Sequence, residues 1–119
     1  MKIKSFLAKP YAAVVYKRLR KSMQNAVADQ QKILESLIKA GRHTRFGKDH
    51  FLSDVTQYGD FKNAVPIRDY EGIRPYIDLI KEGKENILWK GKPLYFAKTS
   101  GTTSGVKYIP ISKDSISNH

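Results

Sequence analysis

Residues 94–111 read Leu94-Tyr95-Phe96-Ala97-Lys98-Thr99-Ser100-Gly101-Thr102-Thr103-Ser104-Gly105-Val106-Lys107-Tyr108-Ile109-Pro110-Ile111. Apolar, strand-like runs at Leu94–Ala97 and Tyr108–Ile111 enclose Thr99–Gly105, which holds five hydroxyls and two glycines in seven positions. The pattern predicts two antiparallel strands joined by a polar loop. Glycine has no Cβ and adopts positive φ freely, so it lets successive backbone N–H groups turn inward together. Such N–H groups form an anion-binding concavity. Hydroxyls add donors, and Lys107 adds a point charge suited to phosphate. Ser100, Gly101, Thr102, Thr103, Ser104, Gly105 and Lys107 are therefore the candidate residues of a phosphate-holding loop, with a nucleotide as the ligand class. The competing reading is a polar hairpin loop with no ligand.

The order of residues excludes the two common nucleotide signatures. A P-loop requires G-x-x-x-x-G-K-[ST]. Here only three residues separate Gly101 from Gly105, Val106 precedes Lys107, and Tyr108 stands where a metal-binding hydroxyl would be. No G-x-G-x-x-G fingerprint is present.

The chain has 119 residues and 40% hydrophobic content, enough for one small globular domain with a modest core. It has no cysteine, which removes disulfides, thiolate metal sites and cysteine nucleophiles and fits a cytoplasmic protein. Of the net charge of +11, +9 lies in residues 1–50. A basic half of this kind attracts nucleic acid or an anionic surface, or forms a solvated helical face. No run is long enough for a secretory h-region or a membrane span.

Residues 1–41 read as a basic helical region. Pro10 suits a first helical turn, and Val15, Leu19, Met23, Ala26 and Val27 follow at helical spacing. A second pattern, Val27, Gln30, Leu34, Leu37 and Ile38, ends at Gly41, a good C′ residue. A break between Ser22 and Asn25 would make two helices of this region. Residues 42–93 read as short helices and loops. Arg42–Asp54 is irregular, with Phe46 turned inward and Gly47 turning the chain. Gln57–Ala64 is a short helix, and Val65-Pro66-Ile67 is extended. Asp69 caps a turn at Tyr70–Ile73, and Pro75 opens a helix through Ile80 that Gly83 stops. Glu85–Trp89 is a helical turn or an edge segment. Residues 94–119 are strand, loop, strand and the start of a helix capped by Ser112. A chain that stops where a helix begins reads as the N-terminal fragment of something longer.

Other constellations carry little chemistry. His43, His50 and His119 lack ligand spacing. Asp69, Glu71 and Asp78 read as acids near helix starts. Trp89, Tyr95 and Phe96 read as core. The loop hydroxyls have no adjacent base, which favours hydrogen bonding over nucleophilic attack.

Phe96–Gly105 followed by Lys107-Tyr108-Ile109-Pro110 resembles the ATP-phosphate motif of adenylate-forming enzymes, the superfamily of acyl-CoA synthetases and firefly luciferase. Thr44-Arg45-Phe46-Gly47, Tyr58-Gly59-Asp60-Phe61 and Val65-Pro66-Ile67 with Asp69-Tyr70-Glu71 extend the resemblance to the auxin-responsive acyl-acid amido synthetase family, in a bacterial form. It runs from about residue 26 to the end. Ser104 and Val106 depart from the superfamily pattern, which places glycine and proline there.

The resemblance implies an α+β fragment: N-terminal helices followed by a strand–loop–strand hairpin, part of the large adenylate-forming domain. It implies an ATP-dependent ligase that adenylates a carboxylic acid and passes the acyl group to an amine, commonly an amino acid, with magnesium bridging the phosphates. Ser100–Gly105 and Lys107 would hold those phosphates. The acyl pocket, adenine site, magnesium-binding acid and C-terminal domain of such an enzyme would lie beyond His119, so the fragment alone would be inactive. No catalytic residue, metal ligand, membrane or specific nucleic acid is implied. An acyl- or aryl-CoA ligase of the same superfamily, and a small basic module binding nucleic acid or an anionic surface, are the alternatives.

Overall fold

The computed structural model describes residues 2–100 and 105–118. The chain divides into two units, residues 1–34 and 35–119, each described by itself.

The first unit is helical. Helix α1 (Lys2–Gln24) runs through Pro10 instead of starting at it. A proline inside a helix removes one backbone bond and crowds the carbonyl four residues back. Pro10 is exposed. Helix α2 (Ala26–Gly41) follows after a break at Asn25, within the predicted interval. The apolar positions that recur at helical spacing are exposed at Leu19 (58%), Met23 (78%) and Val27 (82%). No helix among the described residues is long and apolar enough to cross a membrane.

The second unit holds the core. Ile38, Leu52, Val55, Ile77, Ile80, Ile87 and Ile111 are buried, together with the polar Thr44 and His50. Each such aliphatic side chain contributes about 1.5–3 kcal/mol on leaving water. Residues 42–54, expected to be irregular, contain helix α3 (Arg45–Asp49) and a 3-10 turn at Leu52–Asp54. The cause is Thr44. Its hydroxyl donates to the Gly41 carbonyl at 2.7 Å and accepts from the Gly47 N–H at 3.0 Å, tying the end of α2 to the start of α3. Gly41 is the last helical residue of α2, not the left-handed residue after it. Gly47 lies inside α3 and turns nothing. A Cβ there would sit 2.2 Å from the Gly41 carbonyl oxygen, so only glycine lets α3 close against the end of α2. Phe46 is half-buried, with its ring stacked on His50 at 4.1 Å between centroids. The buried His50 donates from Nδ1 to the Phe46 carbonyl at 2.9 Å.

Helix α4 (Tyr58–Ala64) starts where Asp60 accepts from the Thr56 N–H, the Thr56 hydroxyl and the Gln57 N–H. Helix α5 (Tyr70–Lys81) is one element, although the sequence suggests a turn and a separate helix opened by Pro75. The Asp69 carboxylate accepts from the Gly72 N–H at 2.9 Å, and the helix continues through Pro75. Both Pro75 and Glu71, whose carbonyl loses its partner, face solvent. Because α5 begins at Tyr70, Asp78 lies near its end instead of its start and pairs with Lys81 at 3.5 Å. Gly83, with φ of 87°, closes the helix as expected.

After α5 the chain bends back. The Asn86 and Ile87 carbonyls accept from the Arg45 and Phe46 N–H groups, satisfying donors at the start of α3. Strands β1 (Tyr95–Lys98) and β2 (Tyr108–Ile111) form an antiparallel pair with Tyr95 opposite Ile111 and Lys98 opposite Tyr108. A 3-10 turn at Lys113–Asn118 follows, with the Ser112 hydroxyl accepting from the Ser115 N–H. Of the aromatics expected in the core, Phe96 and Trp89 are half-buried and Tyr95 is 54% exposed.

Gly47→Ala should cost at least the ~1–3 kcal/mol typical of overpacking, because the obstructing atom is backbone and cannot rotate away; thermal unfolding of the purified chain measures it. The Asp60 carboxyl is held below its usual 3.8, first by the Thr56 hydroxyl and then by the two N–H groups. A lowered folded value stabilises above the unfolded value, and the gain fades as pH falls through the folded one. Asp60→Asn should therefore lower the unfolding temperature at pH 7, with the gap to the parent closing below about pH 4; a gap constant across a pH series would exclude this role.

Candidate functional site

The hairpin of β1 and β2 presents the candidate loop. Past the last strand pair, the Thr99 N–H donates to the Lys107 carbonyl at 3.0 Å. The Lys107 N–H donates in return to the Thr99 hydroxyl at 3.4 Å. This pair closes the stem of the hairpin. Thr99 thus has a structural use beyond its place in the hydroxyl-rich run.

Of the predicted site residues, the structure brings Ser100, Gly105 and Lys107 to this mouth. Ser100 is exposed and Lys107 is half-buried. Gly105 has φ of 78°, the left-handed conformation that a side chain disfavours. Gly101, Thr102, Thr103 and Ser104 lie outside the described residues.

The stem is held from one side by α5. The Tyr108 N–H donates to the Tyr70 hydroxyl at 2.9 Å, and that hydroxyl donates to the Tyr108 carbonyl at 3.4 Å. The Lys107 ammonium lies 5.7 Å from the centre of the Tyr70 ring and that of Lys81 lies 4.9 Å from the centre of the Tyr108 ring, both within cation–π range. The Phe96 and Tyr108 rings meet edge to face at 6.3 Å. The sequence reading treats Tyr70 as a residue of a capped turn and of the family resemblance. Its partner is 38 positions away, and no local pattern encodes that pairing.

The start of β1 is fixed separately. Asp114 accepts from the Trp89 indole N–H at 3.1 Å and pairs with Lys90 at 2.9 Å. The Lys90 bond, then that of Trp89, holds its carboxyl below the usual range. Between Glu85 and Asp114 the sequence has five lysines and no acid. The donor set around the loop is thus hydroxyl, amide and ammonium. It suits the oxygens of a phosphate and offers no carboxylate to a metal ion. Among the described residues, no group of three or more His, Cys, Asp or Glu could hold a metal.

Comparison with known proteins gives a consistent result. A family model described as the GH3 family N-terminal domain matches residues 15–119. The chain is 32% identical over 86 residues to an indole-3-acetic acid-amido synthetase of Arabidopsis thaliana (GH3.5), a match covering 71% of this chain and 14% of that protein. A second such synthetase from the same plant (GH3.15) is 34% identical over 89 residues, covering 73% of this chain and 15% of that protein. A jasmonoyl–L-amino acid synthetase of Nicotiana attenuata is 30% identical over 87 residues, covering 71% and 15%. The chain thus spans 14–15% of the length of these relatives. No solved structure matches.

The left-handed Gly105 gives a direct expectation. Gly105→Ala should destabilise the hairpin by about 1–2 kcal/mol, and Gly105→Asn by less, since asparagine tolerates this region. Hydrogen exchange at the Thr99 amide reports the effect, with the alanine variant exchanging fastest.

Proposed function

This chain belongs to the GH3 family of acyl-acid amido synthetases, as part of its N-terminal domain, and from that premise we propose that it forms the triphosphate-holding portion of an ATP-dependent ligase. The parent enzyme would join a carboxylic acid to an amine, with an amino acid as the acceptor class. The names of the relatives support this choice, being those of synthetases that conjugate indole-3-acetic acid or make jasmonoyl–amino acids. A thiol acceptor has no such support.

In this reading the carboxylate attacks the α-phosphate of ATP, pyrophosphate leaves, and the amine then displaces AMP from the acyl-adenylate. The loop's part is electrostatic. Donors fixed before the reaction meet the charge that gathers on the leaving pyrophosphate. Amide N–H groups along Gly101–Gly105 and the hydroxyls of Ser100, Thr102, Thr103 and Ser104 would supply those donors. Lys107, rooted at the stem, would add a full positive charge. Magnesium, riding on the phosphates, would neutralise part of their charge. The Thr99–Lys107 closure supports this reading most directly, because the stem it closes flanks a hydroxyl- and glycine-rich stretch of sequence without an acid in it. The fragment would not catalyse alone, and the parent enzyme would be cytoplasmic.

The test is carboxylate-dependent exchange of pyrophosphate into ATP by a full-length GH3 protein carrying this chain. Gly101→Val should abolish exchange by keeping the backbone away from phosphate, while the unfolding temperature without nucleotide stays close to that of the parent. Full retention of exchange would remove the loop from the ATP site.

A further inference from the structure

The hydrogen bonds at the base of the hairpin point to a residue that acts on the loop from outside it. In an antiparallel pair, residues alternate between those bonded across the ladder and those whose N–H and C=O point outward. Thr99 donates across to Lys107, so the adjacent pair, Lys98 and Tyr108, is of the outward kind. The Tyr108 N–H and C=O therefore face the edge of β2 away from β1, at a half-buried position. Left without partners they would carry the cost of a buried unsatisfied group. One side-chain atom, the Tyr70 hydroxyl, meets both, at 2.9 Å and 3.4 Å. The ring that carries this hydroxyl also lies beneath the Lys107 ammonium. Tyr70 is the first residue of α5, which buries Ile77 and Ile80 in the core. The helix therefore provides a fixed support for the ring.

We propose that Tyr70 is a positioning residue for the nucleotide. Its hydroxyl locks the backbone of Tyr108, and its ring fixes the ammonium of Lys107 at the mouth of the loop. This rests on the reading of the loop as a triphosphate site. A phosphate-binding lysine on a free hairpin end would sample many orientations. Clamping the next residue to a helix reduces the ordering that binding must supply.

Tyr70→Phe isolates the hydroxyl, because the ring under Lys107 remains. In pyrophosphate exchange by the full-length protein, this variant should raise KM for ATP about tenfold, with KM for the carboxylic acid unchanged. Lys107→Met should also raise KM for ATP, and Tyr70→Phe should add much less in that background than alone. Tyr76→Phe is the matched control. It removes a comparable tyrosine hydroxyl bond, to Asp49 at 3.0 Å, with no link to the hairpin, and should leave KM for ATP in place even if the unfolding temperature drops. If Tyr70→Phe lowers the unfolding temperature but not the affinity for ATP while Lys107→Met does weaken it, Tyr70 is only structural and the proposal is overturned. If neither Lys107→Met nor Gly101→Val affects ATP, the loop reading itself fails, and this inference with it. Should Tyr70→Phe not fold, hydrogen exchange on the unaltered protein decides. Saturating ATP should slow exchange at the Tyr108 amide, and no change there overturns the coupling.

Discussion

A single hydroxyl, that of Thr44, joins the parts on which the rest of the second unit stands. It donates to the last carbonyl of α2 and accepts from the third N–H of α3. Two of the remaining free N–H groups at that end of α3 are taken by the carbonyls of Asn86 and Ile87. The residues that follow α5 are thereby pinned against the α2–α3 junction, and Ile87 is delivered to the core. From there Asn86, itself left-handed with φ of 56°, accepts from the Gly91 N–H through its side chain and turns the chain toward β1. The hairpin is thus located by backbone bonds made far from it in sequence.

A two-stranded ribbon is marginal in water by itself. Here it draws stability from what it touches. Ile111 is buried, the Tyr108 ring lies between Phe96 and the Lys81 ammonium, and Tyr70 satisfies the outward backbone of β2. The stem residues Thr99 and Lys107 therefore stand on a fixed base.

What the sequence made legible followed the range of the interactions. The hairpin was readable because its apolar flanks and glycine-rich centre are contiguous, and α4 and the Asp69 cap were readable from side chains three or four positions from their partners. The two prolines misled. Pro10 and Pro75 were read as helix starts, yet both lie within helices, because a proline on a solvent-facing turn leaves a carbonyl that water can serve. The short α3 was missed because a five-residue helix has no period to detect; Thr44 followed by Gly47 was the available signal. Leu19, Met23 and Val27 keep helical spacing without burial, since periodicity shows which residues share a face and not what covers it. Tyr70 belongs to the capped turn and to the family likeness, and neither reading points to the hairpin. Its role depends on a contact across 38 residues, which no local pattern carries.

The same distinction of range applies to charge. Most of the positive excess lies in residues 1–50, much of it on exposed helical surface such as Lys9, Lys17, Arg18, Arg20 and Lys21. Charges in that setting are screened over a Debye length of about 8 Å at physiological salt. Near the hairpin, Lys90 is matched by Asp114 and Lys92 by Glu85. Lys107 differs on both counts. It is half-buried, it makes no ion pair among the described residues, and it is the residue that closes the loop stem. A partly desolvated cation acts more strongly at short distance than a fully solvated one. For the proposed triphosphate, Lys107 is therefore the cation that the hairpin stem itself supplies.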